Sequence, residues 1–172
     1  MLKIIILILI VILCSLIGYL YGEGFKQRYL ELSELMRSLI DMENEIMYSY
    51  RPVPEVLAGI SNKSEGVISD LFSDVSDILI RGDMENVNMA FAYSLNNRSN
   101  QMAMTKEDCN IILDLSKSLG DTDILGQGQI FSLAKDKLDR AIDIAEKDYR
   151  TSCKMYKTLG VGIGIMLAIF LI

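Results

Sequence analysis

An apolar run at each end, with a charge-rich stretch between them, is the feature that most limits what this chain can fold into. Residues Leu2 to Leu20 carry one charge, Lys3, and Ile4 to Ile17 is nearly all Ile, Leu and Val. About 20 apolar residues cross a bilayer as a helix. A cleaved signal peptide also begins with a lysine and an apolar run, but it ends in a small-x-small site. Tyr19, Leu20 and Tyr21 stand there instead, and tyrosines suit a membrane interface. A lipoprotein cysteine at Cys14 would want a small residue before it, where this chain has Leu13. Residues 1–22 are therefore expected to form an uncleaved transmembrane helix.

The second apolar stretch, Leu159 to Ile172, carries no charge. At ~1.5 Å per residue it covers only ~21 Å, against ~30 Å of hydrocarbon. Residues 158–172 are expected to make a short second membrane segment, which reaches further by taking in Tyr156, thins the bilayer, or packs on a neighbour. Gly160 and Gly164 form a G-x-x-x-G pair that lets two helices approach closely. Gly18, Gly160 and Gly164 are the candidate packing positions, against the first segment or against another protein. With Gly162 the same glycines read G-x-G-x-G, but a phosphate loop needs a preceding strand and a polar mouth, and neither is present.

Two spans would place residues 23–157 together on one side. Near the spans that stretch carries Lys26, Arg28, Arg37, Lys147, Arg150, Lys154 and Lys157, while the other side has Lys3 and the amino terminus. The positive-inside rule then puts the middle in the cytoplasm. The sequons at Asn62 and Asn97 would be chance matches there.

Helical periodicity runs through the middle. Phe25, Tyr29, Leu32, Met36, Leu39 and Ile46 make one stripe, with Leu35 and Met42 beside it, and the first segment is expected to continue into this helix with a bend near Gly22 and Gly24. Pro52 and Pro54 end it, and Pro54 can open a short helix from Glu55 to Ile60. A third helix reads from Glu65 to Ile80 and closes at Gly82. A fourth rests on Met84, Val87, Phe91 and Leu95. Asn96 to Met104 reads as a loop, Thr105 and Asp108 as a capping box, and the helix they open is stopped by Gly120. Thr122 caps a last helix of about 50 residues that continues into the second segment. The expected fold is all-α: roughly a six-helix antiparallel bundle flanked by N- and C-terminal transmembrane helices.

Catalytic machinery is hard to find. The chain has no His, so the commonest general base and metal ligand is missing, and Ser or Cys nucleophiles have no His partner. Cys14, Cys109 and Cys153 form no C-x-x-C pair and read as small core or lipid-facing residues. Glu43 and Glu45 are two apart on a helix, so they point apart; Asp41 and Glu45 share a face without a metal set to complete. Residues 136–147 alternate sign at i, i+3 and i, i+4, an ordinary exposed face. The net charge of -6 speaks against a nucleic-acid surface and suits a basic protein partner. No cofactor, metal or small-molecule substrate is expected.

Four segments, in order along nearly the whole length, carry a family resemblance. They are Gly18-Tyr-Leu-Tyr-Gly-Glu-Gly-Phe-Lys-Gln-Arg28, Leu39-Ile-Asp-Met-Glu-Asn-Glu-Ile-Met-Tyr48 with Pro52-Val-Pro-Glu55, Leu119-Gly-Asp-Thr-Asp123, and Lys154-Met-Tyr-Lys-Thr-Leu-Gly-Val161. The chain resembles the stage III sporulation protein AB family of endospore-forming bacteria. The resemblance implies a non-enzymatic component of the channel or secretion-like complex between mother cell and forespore. It also implies a place in the outer forespore membrane, and a soluble domain similar to that of the type II secretion inner-membrane platform protein. The implied partners are a stage III sporulation protein AA-type ATPase and other membrane proteins of the complex. No catalytic residue carries over. Glu43, Glu45, Tyr48, Pro52, Pro54, Gly120 and Asp123, which lie in these segments, are interface candidates only. The competing readings are a two-span helical membrane sensor or adaptor, and a small membrane enzyme built on Glu23, Lys26 and Lys154.

Overall fold

The computed structural model describes residues 2–49, 51–119 and 124–171; within the helices, the side chains of residues 2–7, 10, 124–127, 157, 168 and 171 lie outside that description. Every regular element among the described residues is helical: α1 (Leu2–Tyr48), α2 (Val53–Lys63), α3 (Gly66–Arg81), α4 (Val87–Arg98), α5 (Lys106–Ser116), α6 (Ile124–Asp148), a π turn (Tyr149–Cys153) and α7 (Lys154–Leu171). The chain divides into two compact units, Met1–Tyr29 with Asp143–Ile172, and Leu30–Ile142.

The second unit is a bundle with one apolar core. Leu32, Leu35, Leu39 and Met42 of α1 are fully or almost fully buried, as are Leu57 and Ile60 of α2, Leu71, Phe72 and Val75 of α3, Phe91 of α4, Ile112 of α5, and Phe131 and Leu138 of α6. Each such side chain contributes roughly 1.5–3 kcal/mol by leaving water. Phe72 and Phe91 meet edge to face at 5.9 Å, the arrangement the ring quadrupoles favour. α2 packs on α3, α3 on α4 and α4 on α5.

Local chemistry sets the boundaries. α2 starts at Val53 with Pro52 as its cap residue and Pro54 in its first turn, two residues ahead of the expected start. α3 ends where Gly82 takes φ 73°, and the Asp83 amide bonds back to the Ile78 carbonyl at 3.1 Å. That closure needs a left-handed residue, which glycine supplies without steric cost. α4 begins after Asn86, whose side chain accepts from the Met89 amide at 2.8 Å. Met84 precedes the helix, and the expected loop starts only after Arg98, because α4 gains another turn beyond Leu95. Arg98 fixes that turn by bonding Asp70 and Asp74 on α3. The Thr105–Asp108 capping box forms in both directions, at 2.8 and 3.2 Å. The expected stop at Gly120 and cap at Thr122 lie outside the described residues.

α1 keeps its helical hydrogen bonding through Gly22 and Gly24, so the apolar run continues directly into the helix that follows. One expectation about the long helices is corrected. The last helix, expected to be uninterrupted, widens to a π turn at Tyr149–Cys153. Nothing in Tyr-Arg-Thr-Ser-Cys breaks a helix by its own chemistry. The wider turn begins at Tyr149, which stacks on Tyr29, and ends three residues before Tyr156, which stacks on Phe25. Among the described residues, no helix is long and apolar enough to cross a membrane. Parts of both apolar ends belong to the residues whose side chains are outside the description.

Candidate functional site

In the first unit α1 and α7 run antiparallel, because contacts that step down α1 step up α7. Tyr29 stacks on Tyr149 at 6.1 Å, and Phe25 on Tyr156 at 5.7 Å, with Tyr21 at 5.8 Å from the same ring. Next come the glycines. A Cβ on Gly18 would stand 2.7 Å from the Tyr156 carbonyl oxygen and 3.0 Å from Cα of Gly160. One on Gly160 would stand 2.8 Å from the Cys14 carbonyl oxygen, and one on Gly164 3.1 Å from Cα of Val11. These neighbours are backbone and cannot step aside, so only glycine permits the approach. The structure thus brings Gly18 and Gly160 together, with Gly164 further along the same seam against Val11 and Cys14. Gly162, between them, has nothing within 4 Å and faces away from α1.

Above the glycines lie charges. Lys26 bonds Glu23 at 2.9 Å, Arg28 meets Asp148 at 3.7 Å, and Arg150 bonds Glu146 at 2.9 Å. Hydrogen bonding to Glu23 and Glu146 pushes the pKa of Lys26 and of Arg150 up from their ordinary values. The enzyme reading drew on Glu23, Lys26 and Lys154; in the structure Glu23 and Lys26 form a helical i, i+3 pair. Of the 17 Lys and Arg, the first unit holds Lys3, Lys26, Arg28, Lys147, Arg150, Lys154 and Lys157; of the 23 acids it holds Glu23, Asp143, Glu146 and Asp148. Its net charge is positive, and the second unit carries all the negative excess of the chain.

Among the interface candidates of the second unit, Glu43 and Glu45 do point apart. Glu43 pairs with Lys135 of α6, and Glu45 with Lys63 of α2 at 3.4 Å. Tyr48 is 79% exposed at the end of α1, and exposed Pro52 opens α2 just beyond it. Pro54 is half-buried, and its carbonyl accepts from the Ser76 hydroxyl at 2.8 Å. Gly120 and Asp123 lie outside the described residues. Lys137 crosses to Asp114 of α5 instead of pairing along α6; Lys117 and Lys137 hold the Asp114 carboxyl below the usual range.

Sequence reasoning missed Glu31. It is 4% exposed, and its carboxylate accepts from the amides of Ala103 and Met104 at 2.8 and 3.1 Å. A charged residue one turn before Leu35, on the buried stripe, was the available signal. It anchors the α4–α5 loop to α1. Nearby Cys109 is half-buried, and burial, reinforced by Asp108 and Glu31, pushes its thiol pKa up. Cys14, Cys109 and Cys153 are free thiols. Among the described residues, no three His, Cys, Asp or Glu groups converge to hold a metal.

Comparison with known proteins places an all-helical chain of this kind among the sporulation proteins. The matching family model is that of stage III sporulation protein AB, over residues 3–172, and the chain belongs to that family. It is 26% identical over 171 residues to stage III sporulation protein AB of Bacillus subtilis (strain 168), covering 99% of each. A solved structure of a stage III sporulation protein AB has the same fold, with a TM-score of 0.66 and 25% identity, over 72% of this chain and 96% of that one.

Proposed function

We propose that this chain is a non-enzymatic platform, anchored in the outer forespore membrane of the mother cell. Its helical bundle would lie in the cytoplasm and dock a stage III sporulation protein AA-type ATPase onto the membrane complex between mother cell and forespore. Membership of the stage III sporulation protein AB family supports the sporulation role. The observation that carries the platform reading is the partition of charge and apolar surface. One unit combines apolar helix ends with a cationic, tyrosine-rich band, the pattern of a membrane–water boundary on its cytoplasmic side. The other is an acidic bundle, a surface that attracts a basic partner and steers its approach. Both apolar ends act as anchors in this reading, and the Gly18–Gly160 seam lets the shorter one pair with the longer.

The test is capture of the purified ATPase by the full chain in detergent over a salt series. Charge-steered docking weakens as salt rises, since screening shortens to about 8 Å near physiological ionic strength. No capture, or capture indifferent to salt, overturns the docking. Protease treatment of oriented vesicles tests the side: a bundle cut only from outside overturns the cytoplasmic placement.

A further inference from the structure

We propose that the π turn holds one spare residue of the last helix and thereby selects which face of α7 meets α1. Four positions around it are buried in the first unit: Ala145 on α6, Cys153 at the end of the turn, and Gly160 and Gly164 on α7. In an α-helix each residue advances by about 100°. Cys153 to Gly160 is a step of seven residues, which returns to within about 20° of the same face. Ala145 to Cys153 is a step of eight, which in a regular α-helix leaves Cys153 about 80° round from Ala145. A π turn closes its hydrogen bond over one residue more than an α turn, so it absorbs one of the eight. The remaining seven restore the step, and Ala145, Cys153 and Gly160 fall on one buried face. α1 needs no such insertion. Val11, Gly18 and Phe25, which meet Gly164, Gly160 and Tyr156, follow one another by sevens.

The face that the spare residue turns away is a bulky one. Counted from Ala145 along a plain α-helix, the positions that come round to the same side are Ser152, Leu159 and Ile163. Leu159 and Ile163 would then stand where α1 runs closest. At Gly160 a single added carbon already falls 2.8 Å from the Cys14 carbonyl oxygen, so a leucine has no room there. With the turn in place Leu159 and Ile163 are exposed, and Gly160 and Gly164 occupy the seam. Both pairs have helical spacing in the sequence, so the turn and not the periodicity selects between them. Tightening the turn to α without removing a residue rotates α7 by about 100° and opens the seam. None of this depends on docking or on a membrane, since all these residues lie in the first unit.

The experiment compares two variants of the full chain in detergent: a deletion of Thr151, and an insertion of one alanine between Thr151 and Ser152. Thr151 is exposed, so neither change removes a buried side chain. Spin-labelled unnatural amino acids at the exposed positions Leu13 and Ile165 report the seam and leave the native cysteines in place. Buried Cys153 reports the face through its rate of maleimide labelling. Deletion is expected to leave both readouts as in the parent chain, because the residue removed is the spare one. Insertion is expected to lengthen the Leu13–Ile165 distance and to raise Cys153 labelling about tenfold, as for a buried site that opens locally. A helix with no residue to spare suffers from both changes alike. Equal damage from deletion and insertion therefore overturns the proposal. So does a deletion variant that loses helix by circular dichroism, or an insertion variant that matches the parent in both readouts.

Discussion

Glu31 is the residue that ties the α4–α5 loop to α1. Its carboxylate answers two backbone amides in a place that water does not reach freely. Glu31→Ala leaves both donors without it, and a loss of about 2–3 kcal/mol is expected. Glu31→Gln, which keeps one acceptor, should cost less than half of that. Urea unfolding of the two variants measures this; equal stabilities would show that the loop is held by something else. The same carboxylate reaches Cys109 through space. A raised thiol pKa means less thiolate at any given pH, so alkylation of Cys109 by iodoacetamide should be slow at neutral pH. It should climb only as pH passes above the ordinary thiol range, near ~8.5. Removing the negative charge with Glu31→Gln should shift that climb to lower pH. A rate that levels off below the ordinary range, followed by mass spectrometry, would contradict the environment described.

At the scale of elements, the α1–α7 pair is fixed by what glycine lacks. Gly160→Leu places side-chain atoms where the Cys14 carbonyl and Gly18 already sit, and the two helices must separate. Nitroxides at the exposed positions Leu13 and Ile165 should then read a longer distance than in the parent chain. An unchanged distance would mean that the seam is not retained in the membrane. The G-x-x-x-G spacing was legible in the sequence, but its partner was not. Another protein would satisfy the same motif, and only the packed helices distinguish Val11, Cys14 and Gly18 as the facing surface. The π turn was not legible at all, since no breaker lies within it.

For the whole molecule, charge separates the two units. Glu43 and Glu45, singled out in the sequence for a partner surface, are each held by a lysine of the bundle. Their field is thereby partly cancelled. Exposed acids such as Asp83, Glu85 and Glu107, for which the structure gives no ion pair, present more charge to an approaching basic partner. Charge reversal at these three should weaken ATPase capture at low salt more than reversal of Glu43 and Glu45, with the difference fading as salt rises. Binding assays with the two triple and double variants decide it; a larger loss from Glu43 and Glu45 would return the interface to α1.

The sequence alone determined most of the elements. Local rules placed them: proline before α2, glycine after α3, a threonine–aspartate box before α5, and apolar stripes whose period is set by the helix itself. It also determined the family, because four separate segments keep their order along the chain. What only the tertiary structure decided was which groups meet. Glu31 and Ala103 are 72 residues apart and Glu43 and Lys135 are 92 apart, and no local periodicity reports such pairs. A buried carboxylate and a glycine seam are each defined by the atoms of another segment, which the chain meets only once it is packed.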